Sequence, residues 1–344
     1  MKRLFIIDCF CVNLFIIITI LFSSCRKEID VEIISTTQYL VVEGSIEPGF
    51  PPYVILTTSQ NYFDSITNNT YQDLFIKDAE IKVWTTDIDG NTDTVNLTFL
   101  DDSIPYFIDV EYFNNPNNYG FSKAGQTYHL YIKWNSQIIT STTTIPSPTG
   151  LDSIWVEKNP NINADWWLES TSDIWSVYTD DHNTNNNILV KSKRLEHWIN
   201  TNNGAINQSD NFLSLVDCLS DQIFNGESFK TAFLRPKEGF PPFGSYQSNR
   251  YEWNTSIQDS IYLPNDVVLI KFCQIDESSM MFWRSVMRTF TNNGNPFTEP
   301  MNLVSNINGG LGVWTGYGSV YYKVPIVQDT VIFNVYNPDI IDIY

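Results

Sequence analysis

Ile81-Lys82-Val83-Trp84-Thr85-Thr86-Asp87-Ile88-Asp89-Gly90-Asn91-Thr92-Asp93-Thr94-Val95-Asn96-Leu97-Thr98-Phe99 is the stretch that decides the fold. Ile81 and Val83 point one way with Lys82 opposite, Asp89-Gly90 supplies a hairpin turn, and Val95, Leu97 and Phe99 return on a second strand. The oxygen side chains at alternate positions from Asp87 to Asp93 also invite a calcium reading. An EF-hand loop, however, needs glycine sixth and a bidentate glutamate twelfth, whereas here glycine is fourth and Thr98 is twelfth. A hairpin turn accounts for the segment, and no metal site is expected.

Working outward, a second hairpin follows. Tyr128, Leu130 and Ile132 alternate with His129, Tyr131 and Lys133, Asn135-Ser136 turns the chain, and Gln137-Ile138-Ile139-Thr140 returns. Upstream, Leu40-Val41-Val42-Glu43-Gly44-Ser45-Ile46 reads as a strand ended by Glu47-Pro48-Gly49, with Tyr53-Val54-Ile55-Leu56-Thr57-Thr58 as the next. Several strands without a helical period predict an all-β chain, with an immunoglobulin- or transthyretin-like β-sandwich over 38–146. Ile145-Pro146-Ser147-Pro148-Thr149-Gly150 then stiffens towards polyproline II, which predicts a spaced domain boundary before a larger β-rich domain over 150–344.

That second part carries one helix signal. After the apolar run Val267-Val268-Leu269-Ile270-Lys271-Phe272-Cys273, Asp276-Glu277-Ser278-Ser279 has the makings of an N-cap and acidic first turn. Met280, Trp283, Met287 and Phe290 recur at three- and four-residue steps, and Asn292-Asn293-Gly294 ends the pattern, so a helix with one buried face is expected over about 277–291. Beyond it Gly309-Gly310-Leu311-Gly312-Val313-Trp314 reads either as close packing between strands or as a contact or hinge segment. Trp314 is a candidate partner contact on the second reading. Trp166 and Trp167, set among asparagine-rich loops, are candidate ligand contacts, against the alternative that they fill a core.

The runs "SSMMFWRSV", "NNGNPFTEP", "SNINGGLGVWTGYG" and "LSDQIFNGESF", with Tyr39-Leu40-Val41-Val42-Glu43-Gly44 and the Ile145 to Ile154 junction, resemble the Bacteroidota outer-membrane lipoproteins grouped as domain of unknown function 4249. The resemblance covers nearly the whole chain beyond its leader. It implies location and company, since such proteins resemble accessory lipoproteins found beside TonB-dependent receptors. It carries over no catalytic residue.

The N-terminus agrees with that location. Lys2 and Arg3 precede an apolar stretch from Leu4 to Phe22, and Ser23-Ser24-Cys25 closes it. A basic head, a hydrophobic middle and small residues before cysteine describe a lipoprotein signal over 1–24 with Cys25 as the lipid site. A transmembrane anchor is the alternative, although it leaves the small-small-Cys ending unexplained. The charged tether over 25–37, with Arg26-Lys27-Glu28, resembles a signal for the cell surface rather than the periplasmic leaflet. With 39 acidic against 20 basic residues the net charge is −19, which excludes nucleic acid as an expected partner. Membrane attachment is therefore expected through lipid and not through a basic patch.

Little in the chain suggests chemistry. Past the lipid site only Cys218 and Cys273 remain, either paired or as buried thiols. His129, His182 and His197 are scattered, and neither a Gly-x-Ser-x-Gly elbow nor a phosphate loop occurs. No enzyme activity and no cofactor are expected. Six Asp-Ser/Thr-apolar tripeptides, centred on Ser65, Thr94, Ser103, Ser153, Ser260 and Thr330, resemble O-glycosylation sites of exported Bacteroidota proteins. The same tripeptide also arises wherever a turn leads into a β-branched strand residue. Two functions are open: an accessory or ligand-capture lipoprotein of a TonB-dependent receptor, or a structural subunit of an envelope assembly.

Overall fold

The computed structural model describes residues 38–60, 72–101, 104–158, 172–184, 186–195, 197–199, 206–208, 214–221, 225–233, 267–292, 303–325 and 331–343. The expected leader, Cys25 and the tether lie outside them. Among the described residues no helix is long and apolar enough to cross a membrane.

Seven strands come first: β1 (Leu40–Ile46), β2 (Tyr53–Thr58), β3 (Glu80–Thr86), β4 (Thr92–Phe99), β5 (Phe107–Ile108), β6 (Thr127–Trp134) and β7 (Gln137–Thr144). The next seven are β8 (Ser153–Lys158), β9 (Ser172–Thr179), β10 (Asn187–Leu195), β11 (His197–Ile199), β12 (Ile206–Gln208), β13 (Ser214–Ser220) and β14 (Ser228–Phe233). Then come β15 (Val267–Ile275), the helix α1 (Glu277–Asn292), β16 (Leu311–Gly316), β17 (Gly318–Pro325) and β18 (Val331–Ile332).

Both hairpins form where alternation places them. β3 pairs antiparallel with β4, Ile81 facing Leu97 and Val83 facing Val95; Ile81, Val83 and Leu97 are buried and Val95 is half-buried. In the turn, an Asp87 carboxylate oxygen accepts from the backbone N–H of Asp89 (2.9 Å) and Asn91 (2.8 Å), so this carboxylate organises the turn. The order across the first sheet is β16-β1-β2-β5-β4-β3-β6-β7. A late strand therefore completes a sheet begun at residue 40. β16 runs parallel to β1 from Val41 opposite Leu311 to Ile46 opposite Gly316. On the other edge, Thr140 of β7 and Asn308 exchange backbone hydrogen bonds of 3.1 and 2.8 Å, while the Gly316 N–H donates to Thr143 Oγ1 at 2.8 Å. The two edges thus meet and the sheet nearly closes on itself, which leaves few unpaired edge groups.

Two glycines make that closure sterically feasible. Gly44 faces Trp314 across the parallel pair, and a Cβ there would stand 2.9 Å from Trp314 Cε3. Gly312 has φ +109° and lies against the Val42 carbonyl oxygen, so only glycine fits the position. Trp314 is consequently fully enclosed among Leu40, Val42, Leu130 and other barrel residues.

The all-β class holds throughout. Within it, the N-terminal strands form the nearly closed barrel, and face-to-face packing of two sheets lies beyond residue 150. There β13-β10-β15-β17 and β14-β9-β8-β18 share one apolar cluster, in which Ile154, Val156 and Ile174 meet Val190, Ile270 and Tyr322. The proline-containing junction does not space two bodies apart. Thr149 N–H donates to Gln274 Oε1 at 2.7 Å and Leu151 N–H to Tyr322 Oη at 2.6 Å, so the junction is bonded to β15 and β17. Residues from Gln38 onward form one compact unit.

The helix appears as expected, ending one residue later. Asp276 caps it: Oδ1 accepts from Ser279 N–H (2.8 Å) and from the Ser278 hydroxyl (2.9 Å). Its other oxygen accepts from Thr143 Oγ1 at 2.6 Å and Thr144 N–H at 3.1 Å, so one carboxylate both starts α1 and fastens it to β7. Met280 and Trp283 turn inward to pack against Leu189, Cys273 and Val313.

Candidate functional site

Among the enclosed polar side chains, Lys191, Lys271 and Tyr321 gather on one face of the second sheet. β15 sets Lys271 opposite Lys191 of β10 on one side and opposite Tyr321 of β17 on the other, making a row across three neighbouring strands. Glu47, the residue after β1, reaches this row from the barrel. Its Oε1 accepts from Lys271 Nζ at 2.8 Å and its Oε2 from the Tyr321 hydroxyl at 2.7 Å. Glu47 is 1% exposed and Lys271 2%. Either charge alone would lose several kcal/mol of hydration in such a place, so each requires the other.

Aromatic faces supply the rest of the lining. Lys271 Nζ lies 4.2 Å from the Tyr317 ring centre, and Lys191 Nζ lies 4.3 Å from that of Trp283 and 5.3 Å from that of Tyr317. Among the described residues no carboxylate stands within ion-pair distance of Lys191. Burial, and then the neighbouring Lys271 ammonium, push the Lys191 pKa down to about 8. Burial drives the Tyr317 hydroxyl far upward. It also pushes the Cys273 thiol up to about 11 and Cys218 up to about 12. Both cysteines are therefore protonated at neutral pH and weak as nucleophiles. The Lys191 amine is more basic-poor than an ordinary lysine, yet it is enclosed. Chemically, the cluster stores charge inside the protein and offers no open nucleophile.

Cys218 and Cys273 are free. Both stand opposite Leu189, one on each neighbouring strand, which separates them by two strand spacings, about 10 Å. A disulfide cannot bridge that gap.

The residues singled out from sequence scatter. Trp314 is fully buried and has no surface to offer a partner, so close packing explains it. Trp166, Trp167 and Cys25 lie outside the described residues, as do Ser65, Ser103, Ser260 and Thr330. Thr94 is exposed on β4 and Ser153 is half-buried at the start of β8. His129 stacks on Trp84 and bonds Thr142 Oγ1 at 3.0 Å, whereas His182 is exposed beside Asp181. Sequence reasoning missed the Glu47–Lys271–Lys191 cluster. The signal was there as lysines inside apolar strand runs, but nothing local names the carboxylate that answers them.

The pattern of the family described as Domain of unknown function (DUF4249) matches residues 26–322. No curated protein matches the chain.

Two outcomes follow from the cluster. Glu47→Gln leaves Lys271 buried without its counter-charge and is expected to cost about 3–5 kcal/mol in urea unfolding at pH 7. Adding Lys271→Met should recover most of that loss, and a double variant as weak as the single one would show that the pair does not act as a unit. Lys191 titrates lower in the folded chain than in the unfolded one, so its penalty on stability is full below about pH 8 and fades towards pH 10.5. Lys191→Met should therefore unfold at higher denaturant than the parent at pH 7, by roughly 1–3 kcal/mol, with the advantage shrinking as pH rises. An advantage independent of pH would contradict the charge assignment.

Proposed function

The chain belongs to the DUF4249 family, and we propose that it is an outer-membrane lipoprotein, held by lipid on Cys25, that serves without catalysis as an accessory or ligand-capture partner of a TonB-dependent receptor. The observation that carries this reading is the Ser23-Ser24-Cys25 end of an apolar leader, immediately before the matched region that starts at residue 26. Several acyl chains on one cysteine make a stable anchor, whereas a single chain would not. Arg26-Lys27-Glu28 favours the cell surface as the final location.

The described body suits that role. Barrel, sandwich and helix are joined by buried bonds into one unit, which a partner would meet as a preformed surface. Its enclosed amine and thiols favour binding over covalent chemistry. A second reading, a structural subunit of an envelope assembly with no small ligand, is favoured by the exposed apolar side chains Val331, Phe333 and Val335 near the C-terminal end of the described chain.

Affinity purification of the tagged lipoprotein from detergent-solubilised outer membranes should recover a receptor-sized β-barrel. With a net charge of −19 and aromatic-rich composition, the association is expected to survive moderate salt. Recovery of the lipoprotein alone, under conditions that preserve other receptor–lipoprotein pairs, would overturn the accessory role.

A further inference from the structure

We propose that the barrel end carrying Tyr39, Ile138 and Leu311 rests on the apolar boundary of the bilayer that holds the Cys25 lipid. The inference builds on the lipoprotein reading above. Tyr39 is 51% exposed, Ile138 55% and Leu311 41%, although Tyr39 and Ile138 each directly precede a buried residue, Leu40 and Ile139, and Leu311 lies an odd number of positions before the enclosed Trp314. Alternation thus sends one residue inward and leaves its neighbour outside.

Backbone register brings the three together. Leu311 stands opposite Val41, two residues beyond Tyr39, in the parallel pair. The turn before β16 then crosses to β7: a Cβ on Gly310 would lie 2.8 Å from the Leu40 carbonyl oxygen and 3.1 Å from Ile139 Cδ1, and one on Gly309 2.6 Å from the Ile138 carbonyl oxygen. The starts of β1, β7 and β16 therefore form one rim. Leu303 and Val304, 49% and 46% exposed, lie on the approach to it.

The rim is also the end from which the chain runs towards the lipid. Gln38 precedes β1 directly, and only twelve residues, 26–37, separate it from Cys25. Fully extended, they span at most roughly 40 Å at about 3.3–3.6 Å per residue. Tethering raises the local concentration of lipid around this end more than any other. Because the chain is strongly acidic, phospholipid headgroups do not attract it electrostatically, which leaves apolar contact as the available attraction. The opposite end provides a control. β3 runs from Glu80, opposite Lys133 near the β6–β7 turn, to Thr85, opposite Tyr128, so Ile88 in the β3–β4 turn sits at the far end of the barrel, fully exposed.

The test uses the full lipidated chain with Ile138→Cys, Leu311→Cys or Ile88→Cys, each labelled with a polarity-sensitive fluorophore. Cys218 and Cys273 are buried and stay unlabelled in the folded protein. Each sample is bound to phosphatidylethanolamine–phosphatidylglycerol vesicles with and without a spin-labelled lipid that quenches at the headgroup boundary, and flotation is read in parallel. Labels at positions 138 and 311 should shift to the blue and lose emission to the quencher, while the label at 88 changes little. Flotation with equal emission from all three positions would overturn the rim contact alone. A chain that fails to float would overturn the lipid anchor and the contact with it. Labels at 138 and 311 that become shielded only when a receptor is reconstituted alongside would assign the rim to a protein partner and overturn the membrane contact.

Discussion

A carboxylate withdrawn from water has to be answered by a cation, and Glu47 is answered by Lys271, 224 residues further along the chain. That separation makes the pair a constraint on the whole molecule. Glu47 can be buried only when the end of β1 is brought against the middle of β15, and Lys271 only when the same contact exists. Tyr321 completes the carboxylate's bonding from β17, and the Tyr317 ring faces the ammonium. Lys191 adds a second cation to the same enclosure, where it faces the Trp283 and Tyr317 rings. A wholly apolar packing of the same volume would often be as stable or more so, so the pair's contribution is best read as specifying which surfaces meet.

Closure of the barrel obeys the same long-range logic. β16 comes from the far end of the chain to lie parallel to β1, and Gly44 and Gly312 provide the clearance that Trp314 and the Val42 carbonyl require. Asp276 links the two parts again, since one of its oxygens caps α1 and the other binds β7. With the proline-containing junction bonded to β15 and β17, the described chain has no boundary at residue 150 across which the contacts thin out. Loop closures of this length slow folding more than they weaken the fold.

What could be read from sequence was the local part. Ile81, Val83, Val95 and Leu97 announce their hairpin because side-chain direction alternates with every residue, and Asp276 followed by Met280 and Trp283 announces α1 because caps and helical spacing act within a few residues. The glycines from Gly309 to Gly318 signal close packing but not its partner, since parallel pairing with residues about 270 positions earlier leaves no mark on spacing. For that reason the barrel reads as an ordinary sandwich until β16 is placed. Glu47 likewise reads as a turn residue beside Pro48-Gly49, and Lys271 as an interruption in an apolar strand. Neither shows a partner until the chain is folded. Cys218 and Cys273 remain ambiguous in sequence for the same reason, and their positions on either side of Leu189 resolve it.

Differential scanning calorimetry of the chain from residue 26 tests most directly whether barrel and sandwich stand as one structure. The account predicts a single transition in which the calorimetric and van't Hoff enthalpies agree, because neither part buries its charges or closes its sheet without the other. Two separable transitions, or a calorimetric enthalpy well above the van't Hoff value, would contradict it.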